Sequence, residues 1–181
     1  GAIDTGLEYI HNKTTDFAGD SVKEDKFDMQ NGWDTPSRWG LKGSEDLGNG
    51  YKVSFKLESG FSSDDGTMNQ SGRLFGREAG LTLSGPFGSV GSIAFGRFGG
   101  ISSSAGTYDM LGYVESFDGG DGDVWGFAAS ERYDNMVVYQ TPRFAGLQGT
   151  VQYSFKTDTK AEEYSGAEGT SDAKRYASIG L

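Results

Sequence analysis

From Tyr51 to Glu58 the residues alternate without a break. Tyr51, Val53, Phe55 and Leu57 share one parity, and Lys52, Ser54, Lys56 and Glu58 share the other. A period of two belongs to a β-strand whose two faces meet different surroundings. The polar face carries full charges in mid-strand, which a closed core does not accept, so it must meet water along its length. The same alternation recurs in Leu147, Val151, Tyr153 and Phe155 against Gln148, Thr150, Gln152 and Ser154. It recurs near the start in Ile3, Leu7 and Tyr9 against Asp4, Gly6 and Glu8. In a later segment Tyr133, Val137 and Tyr139 oppose Arg132, Asp134 and Gln140, but Met136 and Val138 fall on the polar side. Helical periodicity is absent.

The chain is therefore read as all-β, with about eight strands at 1–11, 36–43, 50–61, 73–84, 89–98, 130–141, 146–156 and 173–181. Thirty glycines and 13% aromatic residues in 181 agree with that class. Short turns (43–50, 85–89, 142–146) alternate with long polar loops (11–35, 62–72, 99–130, 157–172), as in an outer-membrane barrel. A soluble β-sandwich also alternates and is the competing architecture. Mid-strand Lys52, Lys56, Glu58 and Arg132 favour a water-filled lumen over it. So do the aromatics that bracket the apolar face, Tyr51 with Phe61 and Tyr133 with Tyr139, which resemble interfacial girdles.

Composition removes several functions. The net charge of −10 argues against nucleic acid as a partner. The absence of Cys excludes a disulfide framework and a thiol-based metal or redox site. His11 is the sole histidine, which removes most nucleophile–base arrangements, and no isolated carboxylate pair marks a hydrolase. The segment Gly96-Arg97-Phe98-Gly99-Gly100 lacks the Lys-Ser/Thr of a phosphate loop. No apolar run is long enough for a transmembrane helix. The opening residues 1–4 do not read as a signal peptide, and a mature exported chain would look the same. The expectation is a protein that is not an enzyme and needs no cofactor.

The stretch Ser37-Arg38-Trp39-Gly40-Leu41-Lys42-Gly43-Ser44-Glu45-Asp46-Leu47-Gly48 resembles the second strand and turn of Gram-negative general porins of the β-proteobacterial type. Further blocks follow in the family's order: Gly1-Ala2-Ile3-Asp4-Thr5-Gly6-Leu7-Glu8-Tyr9, Leu57-Glu58-Ser59-Gly60-Phe61, Gly72-Arg73-Leu74-Phe75-Gly76-Arg77-Glu78-Ala79, Gly85-Pro86-Phe87-Gly88-Ser89-Val90, Phe95-Gly96-Arg97, and Asp134-Asn135 leading to Tyr139. The resemblance implies an antiparallel transmembrane β-barrel of a 16-stranded, homotrimeric porin in the outer membrane of a Gram-negative bacterium. It also implies a third long loop, about 99–130, folded into the pore. Eight strands make half such a barrel, and the chain ends in mid-strand without the family's terminal aromatic. The expectation is that residues 1–181 form a single partial barrel domain, the N-terminal portion of a longer polypeptide.

Charge then points to the pore. Residues 99–123 hold Asp109, Glu115, Asp118, Asp121 and Asp123 with no Lys or Arg. If that loop folds inward, its acids face a wall whose bases, carried over by motif, are Arg38, Arg77 and Arg132. Lys42 shares the strand face of Arg38, and Glu58 lies on the lumen face by parity. The expected constriction sets Arg38, Arg77, Arg132 and Lys42 against Glu58, Asp109 and Glu115, with Arg97 a lesser candidate at the loop's mouth. Guanidinium groups keep their charge at any working pH and offer several donors to a passing carboxylate or phosphate. Arg77 shares parity with Phe75, Ala79, Leu81 and Leu83, so simple alternation would face it toward lipid, and its pore role requires either a bulge or the small residues facing inward. Arg132 stands beside Glu131 and Asp134 and has a plain ion pair as its competing role. Asp118, Asp121 and Asp123 on a Gly-rich turn are a weak Ca²⁺ candidate without EF-hand spacing, and a solvated loop is the better reading. The outer acids Asp16, Asp20, Glu24, Asp25, Glu162 and Glu163 are expected to be solvated, or to bridge divalent cations to lipopolysaccharide.

These readings converge on a passive diffusion channel for small hydrophilic solutes and ions, favouring anions. The partners expected with it are its own trimer, outer-membrane lipid and lipopolysaccharide. The alternative is a non-conducting outer-membrane barrel acting as an adhesin or surface binding protein. A soluble sandwich binding module is the distant third.

Overall fold

The computed structural model describes residues 1–86, 89–103, 106–110, 131–160 and 172–181. Nine strands run through them: β1 (Thr5–Thr15), β2 (Ser21–Asn31), β3 (Arg38–Gly48), β4 (Tyr51–Gly60), β5 (Glu78–Ser84), β6 (Ser92–Gly99), β7 (Arg132–Gln140), β8 (Thr150–Ser154) and β9 (Tyr176–Gly180). Strands β3 to β9 form one seven-stranded antiparallel sheet in which each strand pairs with its sequence neighbour. Such a meander needs only local turns. Asn49 and Gly50, both left-handed (φ 53° and 81°), close the β3–β4 hairpin.

One strand goes beyond the sequence expectation. Residues 21–31 fall inside the expected loop 11–35, yet they pair with β1 along its whole length, with Leu7 opposite Met29 and Tyr9 opposite Phe27. Four charged residues in a row, Lys23 to Lys26, interrupt β2, so the apolar alternation that marks other strands is missing there. Pairing with β1 supplies the order instead. This hairpin is a separate two-stranded sheet, joined to the larger one through the bridge between Ala2 and Arg38. The Asp4 carboxylate caps the return, accepting the backbone N–H groups of Asp34 and Thr35 at 2.8 Å.

The large sheet sorts its side chains by parity. Odd positions carry big apolar groups that stay in the open: Leu41 (56% exposed), Leu81 (50%), Phe95 (48%) and Ile179 (81%). Even positions carry Lys42, Lys56, Glu58, Glu78 and Thr82. A water-soluble domain rarely displays so broad an apolar face, whereas hydrocarbon covers one without cost.

Part of the even face is apolar, and this accounts for the imperfect alternation of β7. Ala94, Met136 and Val138 lie there, buried with Phe98 and with Tyr108 from the connection after β6. A register shift between Gly96 and Phe98 sets Tyr133, rather than Asp134, opposite Phe98. Tyr133 consequently stacks on Tyr176 (centroids 4.1 Å apart) and packs against this cluster. Its expected place in an outer aromatic girdle is thus corrected by the bulge. Tyr139, past the bulge, is 42% exposed on the odd face, as expected.

The extra residue of the bulge lies on β7, where Asn135 is left-handed (φ 50°), and at the same shift on β6 stands Gly96. Its φ is 139°, and a Cβ there would come within 2.0 Å of the Ala79 carbonyl oxygen. Gly96→Ala is expected to destabilise the folded sheet by about 1–3 kcal/mol, the usual cost of a residue held in a sparsely populated backbone region. Gly6→Ala, with nothing within 4 Å, is the neutral control. Urea unfolding of both variants in lipid or detergent checks the difference.

Candidate functional site: the charged even face

The candidate site is built where β3, β4, β5 and β7 reach the rim of the long connections. Glu58 stands opposite Glu78 in the β4–β5 register. Two carboxylates so placed repel unless cations separate them. Here each has its own. Arg77 Nε donates to Glu58 Oε1 at 2.6 Å, and Lys56 Nζ donates to Glu78 Oε2 at 2.8 Å. The Arg77 backbone N–H also donates to the Glu58 carbonyl at 3.1 Å, which holds the residue against β4. The expectation that alternation turns Arg77 toward lipid is corrected, because β5 begins only at Glu78 and Arg77 is not bound by its parity.

Arg38, half-buried at the start of β3, donates from Nη1 to the Pro36 carbonyl at 3.1 Å, and its charge reaches Glu58. Lys42 lies on the same face, directly opposite Lys56 in the β3–β4 register. Both lysines line a cavity of about 470 Å³ with Ser44, Ser54, Thr82 and Thr107. Arg132, at the start of β7, feels the charges of Arg77 and Arg97 on one hand and of Glu58 and Glu78 on the other. The structure thus brings Arg38, Lys42, Arg77, Arg132 and Glu58 onto one charged wall. It adds Lys56 and Glu78, for which no role was assigned from sequence. On this wall five bases meet two carboxylates.

Asp109 Oδ2 accepts the Gly106 N–H at 2.6 Å, closing a turn in the connection after β6. Glu115, Asp118, Asp121 and Asp123 lie outside the described residues. Among the described residues no group of three or more His, Asp or Glu is placed to hold a metal.

The connection after β6 lies against the even face where it is described. Tyr108 meets Phe98 edge-to-face at 5.2 Å and its hydroxyl shares a 2.8 Å hydrogen bond with Thr82. Burial pushes the Tyr108 phenol above its ordinary pKa, so the group stays neutral. Thr107 donates to Glu78 Oε1 at 2.5 Å, and the Ile101 N–H donates to the Tyr176 hydroxyl at 3.1 Å. Sequence spacing gave no sign of Tyr108; the clue was the pair of apolar residues, Met136 and Val138, on an otherwise polar face.

A sheet with an apolar odd face, a charged even face and a connection packed on the charged side defines a transmembrane β-barrel of the outer-membrane type. The match to the Gram-negative porin family model runs over residues 1–181, and the chain belongs to that family. An outer membrane porin protein of Bordetella pertussis is 38% identical over 194 residues, covering all of this chain and 49% of the relative. Outer membrane porin protein 32 of Delftia acidovorans is 34% identical over 166 residues, covering 86% of this chain and 42% of its own. Among solved structures, an anion-selective porin from Comamonas acidovorans superposes with a TM-score of 0.59 at 28% identity, over 98% of this chain and 50% of that one. The chain spans about half the length of the relatives it matches. Its place is the outer membrane of a Gram-negative bacterium.

Tyr108 gives a direct check on the packed connection. Tyr108→Phe keeps the ring and loses one hydrogen bond, costing about 0.5–1.5 kcal/mol of local stability. Tyr108→Ala removes the ring as well and costs about 3–5 kcal/mol. Hydrogen–deuterium exchange of residues 106–110 is expected to rise in that order.

Proposed function

We propose that this chain forms the pore wall of a passive diffusion channel for small hydrophilic solutes, with a preference for anions. The observation that carries the reading is the charged even face, where Arg38, Lys42, Lys56, Arg77 and Arg132 outnumber Glu58 and Glu78. An ion shedding part of its hydration in a narrow passage is selected by the sign and placement of fixed charges. Screening over about 8 Å at physiological salt makes this wall outweigh the overall charge of −10. The likeness to a porin titled anion-selective supports the same sign.

In this reading the third long connection, about 99–130, folds into the pore and sets Asp109 and Glu115 across from the arginines. Tyr108 on Phe98 and Thr107 on Glu78 support the inward course. The functional unit is a homotrimer of 16-stranded barrels, embedded in outer-membrane lipid and lipopolysaccharide. Transport is passive and involves no covalent step, so neither cofactor nor catalytic residue is required. By charge alone, the solutes that fit best are small carboxylates and phosphates, which arginine and lysine hold by charge-assisted hydrogen bonds.

The test is the reversal potential of the full-length protein in a planar bilayer under a salt gradient. Wild type is expected to lie toward the anion equilibrium potential. Arg38→Ala and Arg132→Ala should each move it toward zero, while Glu58→Gln should move it further toward the anion value. Variants that select like wild type would contradict the assignment of the wall. A folded protein that carries no current would favour a surface binding barrel instead.

A further inference from the structure

The rim above the charged wall carries a second ionic cluster that the pore reading does not use. Asp134, on β7, is buried (6% exposed) and bonds through both oxygens. Oδ1 accepts from Arg97 Nη1. Oδ2 accepts from Arg73 Nη2 at 3.2 Å, and from the Thr159 N–H and hydroxyl at 2.8 and 2.7 Å. The partners come from three different segments: Arg73 from the connection before β5, Arg97 from β6, and Thr159 from the connection after β8. These segments also grip one another. Arg73 pairs with Asp158, Lys160 Nζ donates to the Ser71 carbonyl at 2.9 Å, and Arg97 Nε donates to the Gly76 carbonyl at 2.8 Å.

The location gives the cluster its meaning. The third connection leaves the sheet after Gly99 and returns before Arg132, so Arg97 and Asp134 stand at its two roots. The roots touch, with the Gly100 N–H donating to the Glu131 carbonyl at 3.0 Å. The segments carrying Arg73 and Thr159 flank β6 and β7 from either side in the strand order. Because the carboxylate is buried and paired twice, losing its charge takes from Arg97 the carboxylate it pairs with and leaves Arg73 to Asp158 alone.

We propose that Asp134 is a positioning residue for permeation: one carboxylate clamps both roots of the third connection to the neighbouring connections and so fixes where its residues 100–103 and 106–110 lie against the pore wall. The proposal rests on the channel reading. It assigns Asp134 no contact with the solute, and it separates the rim arginines, Arg73 and Arg97, which Asp134 and Asp158 neutralise, from those that meet the permeating ion.

The test uses the full-length protein with one reporter. The chain has no cysteine, and Ser103, near the first root, is fully buried (0% exposed), so Ser103→Cys is expected to resist a bulky water-soluble maleimide. In the same background Asp134→Asn and Arg73→Gln are each expected to raise the labelling rate by about tenfold or more, since either breaks a buried pair. The two together should do no more than the stronger alone. Asp134→Glu, which keeps the charge, should remain protected. In single-channel records Asp134→Asn should close more often than wild type. Unchanged labelling in both Asp134→Asn and Arg73→Gln overturns the proposal. So does equal labelling of Asp134→Glu and Asp134→Asn, or an Asp134→Asn channel that closes no more often than wild type. A folded wild type that carries no current contradicts the channel reading, and the labelling rates still decide the clamp.

Discussion

A strand in a bilayer has no water with which to satisfy its backbone, so every N–H and C=O must find a partner in a neighbouring strand. Once that pairing is met, only the alternation of side chains is left to the sequence. The seven-stranded meander meets the first demand through β3 to β9, each strand bonded to the next. The second follows from parity. Leu41, Leu81 and Phe95 turn one way and Lys42, Lys56 and Glu78 the other, so a single geometric rule produces both an apolar exterior and a charged interior.

Charge crowding is the difficulty such an interior creates. Glu58 and Glu78 face each other across β4 and β5, and Lys42 faces Lys56 across β3 and β4. Like charges in those positions destabilise a sheet. Pairing resolves part of the conflict, through Arg77 on Glu58 and Lys56 on Glu78. The rim cluster resolves it more fully, since Arg73 and Arg97 meet Asp134 and Asp158. The wall keeps more bases than acids while the rim does not.

The fold was legible where alternation was strong. The segments around β4 and β8 read correctly because lipid and water impose opposite demands on adjacent residues, whereas β3, expected at 36–43 before a turn at 43–50, continues in the sheet to Gly48. Strand β2 was not legible, because the charged run Lys23 to Lys26 breaks its alternation and its order comes from pairing with β1 rather than from a core. Parity likewise misplaced Tyr133, since the bulge is a backbone event marked in the sequence only by common residues, Asn135 on β7 and Gly96 on β6. Motif and parity together located Arg38, Lys42 and Glu58. Arg77 needed knowledge of where β5 begins, and Asp134 looked like a local neighbour for Arg132 when its partners Arg73 and Arg97 lie far away in sequence. Contacts between distant segments leave no periodicity to read.

The central claim is that odd and even residues of these strands face lipid and water respectively. Single cysteines at Lys52, Val53, Ser54, Phe55, Lys56 and Leu57, introduced into the cysteine-free chain of the full-length protein in native membranes, test it most directly. The account predicts that cysteines at 52, 54 and 56 react with a small charged thiol reagent, and that those at 53, 55 and 57 stay protected until the membrane is dissolved. Uniform reactivity along the strand, or reaction on the odd face instead, would contradict it.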